Sequence, residues 1–313
     1  MDQFTNILLQ LDETRTVLSE LETAVRQQHE VTPAITANIR SLHKRHRQLE
    51  EEFSLMTHEN YLDVCTYRIF AENDGKRPNI AAVARTLTDF QSLFTVVYDS
   101  LKNGPKERVS YTDEIESESA FEFGYSFTGS VGFVLTMPNE RLLFGESDLD
   151  RSMKTIFEIV KSTTTEQIQG LARQVGIASV RKAYKWVEDH LDASLNADIR
   201  WCRNKEIRAN VVVEIPELRK LQSIIDQTSD EAITEMEVEC TFRGGDLDSR
   251  TFHIESESQG SFRGRMAERA DKEVKPTLGG KYIATLRRTS VVHYSTEKED
   301  VSYILLALHK VAR

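Results

Sequence analysis

The stretch CTFRGGDLDSRTFHIESESQGSFRGRMAERADKEV, Cys240 to Val274, decides how the end of this chain is read. Upstream of it, Met236, Val238, Cys240 and Phe242 alternate with Glu235, Glu237 and Glu239. A period of two with one apolar and one acidic side predicts a strand with a core face and a wet face. The glycines and aspartates of RGGDLDSR predict a reversal. Phe252 and Ile254 continue the core, ESQG turns again, and Phe262 and Met266 close a third strand. The pattern predicts strands near 234–242, 250–256, 260–265, 281–288 and 300–308, with a further short strand near 291–294 and a short helix over 266–273. Five short strands with one helix after the third describe a small β-barrel, SH3-like or OB-like.

Working outward, the length comes first. A chain of 313 residues exceeds what one core usually fills, so more than one domain is expected. Residues 3–29 carry Phe4, Ile7, Leu11, Leu18, Leu21 and Val25 on one stripe at helical spacing. Thr32 and Pro33 suit a helix cap and its first position. Ile35, Ile39, Leu42, His46, Leu49, Phe53 and Met56 then form a second stripe. Two helices of roughly 25 residues, about 37 Å each, predict an antiparallel helical hairpin with coiled-coil character. Its apolar seam needs cover, from the rest of the chain or from a second copy. Phe4, Leu11, Leu18, Leu21, Val25, Leu42 and Leu49 are therefore the candidate oligomer interface.

The middle of the chain predicts an α+β body. YLDVCTYRIF is strand-like, and Ile80, Val83, Leu87, Phe90, Phe94, Val97 and Leu101 recur in steps of three and four before Gly104-Pro105. Phe121, Phe123, Tyr125 and Phe127 share one face of a strand, and Val131, Phe133, Leu135 and Met137 one face of the next. The period is two on both sides of a turn, so this is a β-hairpin packed on the preceding helix, with Phe94 and Phe123 both buried. SDLD, 147–150, opens another helix, segments 165–175 and 178–192 are helical on either side of Gly176, and a strand and a helix follow. The fold class is α+β: a hairpin over 1–58, a body over 59–230 and the small barrel over 231–313.

The chemistry is sparse. The net charge of −10 argues against a protein that coats nucleic acid over its whole surface. Yet Arg263, Arg265, Arg269, Lys272, Lys275, Lys281, Arg287 and Arg288, against Glu268, Asp271 and Glu273, make the segment from 263 to 288 net +5. A basic barrel face with Phe262, Tyr282, His293 and Tyr294 as stacking rings would suit nucleic acid. The same arginines equally suit outward strand positions paired with the acidic first strand; small barrels also bind peptides or only join domains. Arg200, Trp201 and Arg203 form a second candidate nucleic-acid patch, against the plainer reading of a buried tryptophan.

Asp148/Asp150 and Asp246/Asp248 are carboxylate pairs, but one opens a helix and the other sits in a turn, so no metal is expected. His43 and His46 are the one histidine pair at helical spacing, and His46 lies on the apolar stripe, where a packed residue is the simpler reading. Cys65, Cys202 and Cys240 lack CxxC spacing and read as buried thiols of a reducing cytoplasm. No nucleophile elbow, Walker loop, dinucleotide fingerprint or zinc-protease motif occurs, so no catalytic residue and no cofactor is assigned. No signal peptide and no membrane span is expected. The leading expectation is a non-enzymatic interaction or regulatory subunit that self-assembles through the hairpin and takes a protein partner. The alternative is a nucleic-acid-binding effector acting through the basic barrel face, and behind it an enzyme without a recognisable motif. A place in a stress or defence complex would suit the first two.

Overall fold

The computed structural model describes residues 3–27, 32–71, 78–127, 131–139, 145–204, 206–246, 248–267, 276–296 and 298–310. It is mixed α+β with two sheets. By its contacts the chain divides into two compact units, Met1–Gln227 and Thr228–Arg313.

The first unit opens with α1 (Gln3–Gln27) and α2 (Pro33–Glu59). Thr32 caps α2 by accepting from the N–H of Ile35. Strand β1 (Leu62–Ala71) leads to α3 (Ile80–Asn103) and the short α4 (Asp113–Ser119). Asn79 caps α3 at 2.8 Å from the Ala82 N–H, and Gly104 ends it. The hairpin β2 (Glu122–Phe127) and β3 (Val131–Pro138) follows, then α5 (Asp148–Val160), α6 (Thr165–Ala193), β4 (Leu195–Arg203), β5 (Glu206–Val213) and α7 (Ile215–Asp226). The sheet runs β2-β3-β1-β4-β5, antiparallel throughout.

β1 is the centre of that sheet, and its alternation sorts the two faces. Cys65, Tyr67 and Ile69 are fully buried and lie in register with Trp201, Ile199 and Ala197 of β4. Phe90 of α3 meets the Tyr67 ring at 4.8 Å. On the other face, Tyr125 and Val134 pack with Ile7, Leu8, Leu11, Leu49 and Phe53 of the two N-terminal helices, and Val64 adjoins them. The proximal part of the helical seam is thus covered by the chain's own sheet.

Two expectations for β2 are corrected. Phe123 is 63% exposed, whereas Phe94 is fully buried as expected. The register of β2 on β3 shifts between Phe123 and Tyr125, at Gly124. One extra residue in a strand reverses the faces beyond it. Phe121 therefore stacks on Phe90 and Phe94 of α3, while Tyr125 turns to Phe53 of α2. The side chain of Phe127 lies outside the described residues. The helical segments on either side of Gly176 meet at a kink there, as expected, with φ at +79°. A Cβ at Gly176 would meet the Lys106 carbonyl oxygen at 2.2 Å, so this close approach admits only glycine.

The second unit contains β6 (Ser229–Asp246), β7 (Thr251–Ser256), β8 (Gly260–Met266), β9 (Lys281–His293) and β10 (Glu299–Lys310). Antiparallel pairs join β6 to β7, β7 to β8, β6 to β9 and β9 to β10; two parallel residue pairs join β8 to β10. That junction needs Gly264, where a Cβ would meet the Tyr303 carbonyl oxygen at 2.0 Å. Val238, Cys240, Phe242, Phe252, Ile254, Phe262, Tyr282, Ala284, Leu286, Leu305 and Leu308 fill the interior. The expected strand near 291–294 is the end of β9, and most of the expected helix over 266–273 lies outside the described residues.

Candidate functional site

The structure puts Trp201 in the core, not at the surface. Its ring is fully buried, and its Nε1–H donates to Asp63 Oδ2 at 2.6 Å. Arg203 grips the same carboxylate, from Nε to Oδ1 and from Nη2 to Oδ2, both at 2.8 Å. It also reaches Asp150 on α5, with Nη1 to Oδ2 at 3.2 Å and Nη2 to Oδ1. Asn139 Nδ2 donates to Asp63 Oδ1 at 2.7 Å. Burial opposes the charge of Arg203, but the hydrogen bonds and charges of Asp63 and Asp150 outweigh it and raise its pKa. Arg200 is exposed and pairs with Asp198 at 2.8 Å. Trp201 thus has no face open for stacking, and both arginines are answered by carboxylates. The group ties β1, β4 and α5 together.

The DLD carboxylates make local contacts, each within its own unit. Asp148 pairs with Arg151, and Asp150 with Arg203. Asp246 accepts from the N–H groups of Asp248 and Ser249, closing its own turn. Among the described residues no group of three or more His, Cys, Asp or Glu side chains is placed to hold a metal ion.

A second buried network was invisible in the sequence. Trp186 Nε1 donates to Tyr67 Oη at 2.7 Å, and Tyr67 Oη lies 2.7 Å from His190 Nε2. His190 Nδ1 faces the Leu195 carbonyl at 2.9 Å. A carbonyl only accepts, so Nδ1 carries the proton and Tyr67 donates to Nε2. Burial lowers the His190 pKa to about 4, so the ring is neutral. Burial likewise raises the thiol pKa values of Cys65, Cys202 and Cys240. These thiols are kept protonated and are poor nucleophiles.

Three cations of the predicted basic face, Lys281, Arg287 and Arg288, are met by acids. Arg287 and Glu235 are register partners on β9 and β6, 3.0 Å apart. Arg288 pairs with Glu299 at 2.6 Å, and Lys281 with Glu257 at 3.4 Å. Lys272 lies outside the described residues. Phe262, Tyr282 and Tyr294 are buried, with Tyr282 Oη accepting from the Thr277 N–H and Tyr294 Oη donating to Asp230. His293 Nε2 sits 3.1 Å from Asp300. Arg263 and Arg265 remain exposed on β8. They border an open groove of about 790 Å³ with Gly244, Gly245 and His253.

The hairpin residues separate into two groups. Leu11, Leu18 and Leu49 are buried within the chain; Leu21, Val25 and Leu42 are half-buried. The side chain of Phe4 lies outside the described residues. His43 reaches across to Glu22 of α1 at 3.1 Å, and His46 lies 3.4 Å from Glu50.

One side of β6 lacks a partner strand over much of its length among the described residues. This strand has 18 residues and its neighbour β7 has 6. β9 pairs with β6 from Ser229 to Thr241, but β7 pairs only from Thr241 onward. Residues 229–240 therefore have no strand on their second side among the described residues. The Phe242 N–H donates to Gly280 O at 3.0 Å, and its carbonyl accepts from the Gly279 N–H at 2.8 Å. Backbone groups alternate sides along a strand, so those of Ile233, Glu235, Glu237 and Glu239 point away from β9. Glu231, Ile233, Glu235, Glu237 and Glu239 are all exposed. At one end of this edge lies a pocket of about 230 Å³ lined by Glu239, Glu255, Glu257, Ser258 and Lys281.

No family model, curated protein or solved structure matches this chain. No helix among the described residues is long and apolar enough to cross a membrane.

Proposed function

We propose that this chain is a non-enzymatic interaction subunit of the cytoplasm. Its C-terminal unit, a small barrel of the SH3-like or OB-like kind, is the module that docks a protein partner. The observation that carries this reading is the stretch 231–239 of the acidic strand β6, which has no strand on its second side among the described residues. Exposed edges of this kind recruit strands unless something guards them. The charges point the same way. Arg287, Arg288, Lys281, Arg200 and Arg203 each face a carboxylate, which weakens their pull on a polyanion.

Self-association through the hairpin narrows to its distal half. Leu21, Val25 and Leu42 are half-buried there, and Val17 is 42% exposed. The proximal residues Leu11 and Leu49 are already used by the chain itself.

Two measurements on the full chain test the reading. Fluorescence anisotropy with duplex and single-stranded oligonucleotides at about 50 mM salt should stay flat. Light scattering should show a homo-oligomer; a monomer removes the self-association part. Binding that weakens steeply with salt would instead move the chain to the nucleic-acid class. The groove beside Arg263 and Arg265 is what keeps that second reading alive, because these two cations have no ion-pair partner among the described residues. Arg263→Ala with Arg265→Ala would then weaken all sequences alike, since phosphate contacts carry no base information.

A further inference from the structure

We infer that the free edge of β6 takes an extended basic segment of a protein partner as an added strand, with lysines or arginines at alternate positions. This rests on the interaction reading above and names the chemistry of its partner. Residues 231–239 span about 30 Å, enough for a strand of ordinary length. The backbone groups of Ile233, Glu235, Glu237 and Glu239 face this edge and would bond the incoming chain.

Side-chain rows then fix the pattern of the ligand. Odd-numbered residues of β6 lie on the outer face, in register with Val291, Thr289, Arg287, Thr285 and Ile283 of β9. Glu231, Glu237 and Glu239 have no ion-pair partner among the described residues, and Glu235 shares Arg287. Cross-strand neighbours of opposite charge favour pairing and like charges oppose it. An added strand therefore gains from cations beside Glu235, Glu237 and Glu239, and from an apolar residue beside Ile233. Its alternate positions lie beside Ala232 and Thr234, which are exposed, and Met236, which is half-buried.

Charge also decides between occupants. A second copy would set glutamate rows side by side, which repels. The same glutamates that guard the edge against self-pairing select a basic strand.

The test uses the full chain labelled with ¹⁵N. The probe is a nine-residue peptide alternating lysine and valine. Its controls are a peptide of the same composition with the two residues in separate blocks, and one alternating glutamate and valine. The alternating basic peptide is expected to bind and to slow hydrogen exchange at the amides of Ile233, Glu235, Glu237 and Glu239. Neither control should do so. Glu237→Lys with Glu239→Lys should weaken binding about tenfold or more. Glu237→Gln with Glu239→Gln should weaken it less, and serves if the reversal disturbs folding. Binding without slowed exchange at those four amides overturns the inference, as does equal binding of the block peptide or no binding at all. Each of these failures leaves the interaction reading standing if oligonucleotide titrations are flat. Salt-steep oligonucleotide binding sinks that reading separately.

Discussion

Arg203→Met is the substitution with the largest expected effect on the first unit. Arg203 sits between Asp63, whose side chain is fully buried, and Asp150, whose side chain is 4% exposed. Methionine keeps much of the stem but removes every donor. Two carboxylates are then left buried without a cation, and Trp201 shares Asp63 with Asn139 alone. Breaking a buried ion pair by removing one partner costs about 3–5 kcal/mol. For a unit of this size that corresponds to a fall in Tm of about 6–20 °C. Arg203→Lys should fall between, because an ammonium cannot make the forked contact to Asp63. Adding Asp150→Asn to Arg203→Met should recover part of the loss, since one stranded charge is gone; the double-mutant cycle measures this coupling. The assay is thermal unfolding followed by tryptophan fluorescence, which is apt because both tryptophans, Trp186 and Trp201, are buried in this unit. If Arg203→Met shifted stability by less than about 0.5 kcal/mol, the ordinary range of a surface substitution, the clamp would be refuted.

Two further outcomes follow from the interior of the same unit. Asp89 on α3 faces Asp189 on α6, with Lys185, Lys182 and Arg85 nearby; burial, then the hydrogen bond and charge of Asp189, push its carboxyl from 3.8 up to about 7. The fold holds that proton where the unfolded chain has lost it. Stability from this group is thus present in acid and is lost as pH rises through about 7, so Asp89→Asn should flatten the decline in Tm across that window. An unchanged pH profile in the variant would count against the pair. Tyr67→Phe should cost about 1–3 kcal/mol in denaturant unfolding, because Trp186 Nε1–H and His190 Nε2 both lose their partner; a neutral result would mean water replaces the hydroxyl.

The helices were legible because their signals are local. The α3 stripe and its Gly104 stop lie within one stretch of chain. The alternation around Val238 to Phe242 and Phe252 to Ile254 placed strands in the same way. Gly124 was not legible as a bulge, since a strand glycine and a bulge glycine look alike in sequence, and so Tyr125 was put on the wrong face. The Asp63–Asn139–Asp150–Arg203 group joins four distant positions that meet only through the register of β1 on β4 and the seat of α5. The arginines of β9 were readable in two ways, and the register Glu235 to Arg287 favours the paired one. The open edge depends on how far β6 outruns β7, and the arm before residue 234 has too weak an alternation to reveal it.

Hydrogen exchange along β6 in the full, unliganded chain tests the central claim most directly. The expected result is alternation: the amides of Met236, Val238 and Cys240, which bond to β9, exchange slowly, while those of Ile233, Glu235, Glu237 and Glu239 exchange fast. Uniform protection from 233 to 240 would contradict it, because the second edge would then be occupied and could not be the docking site.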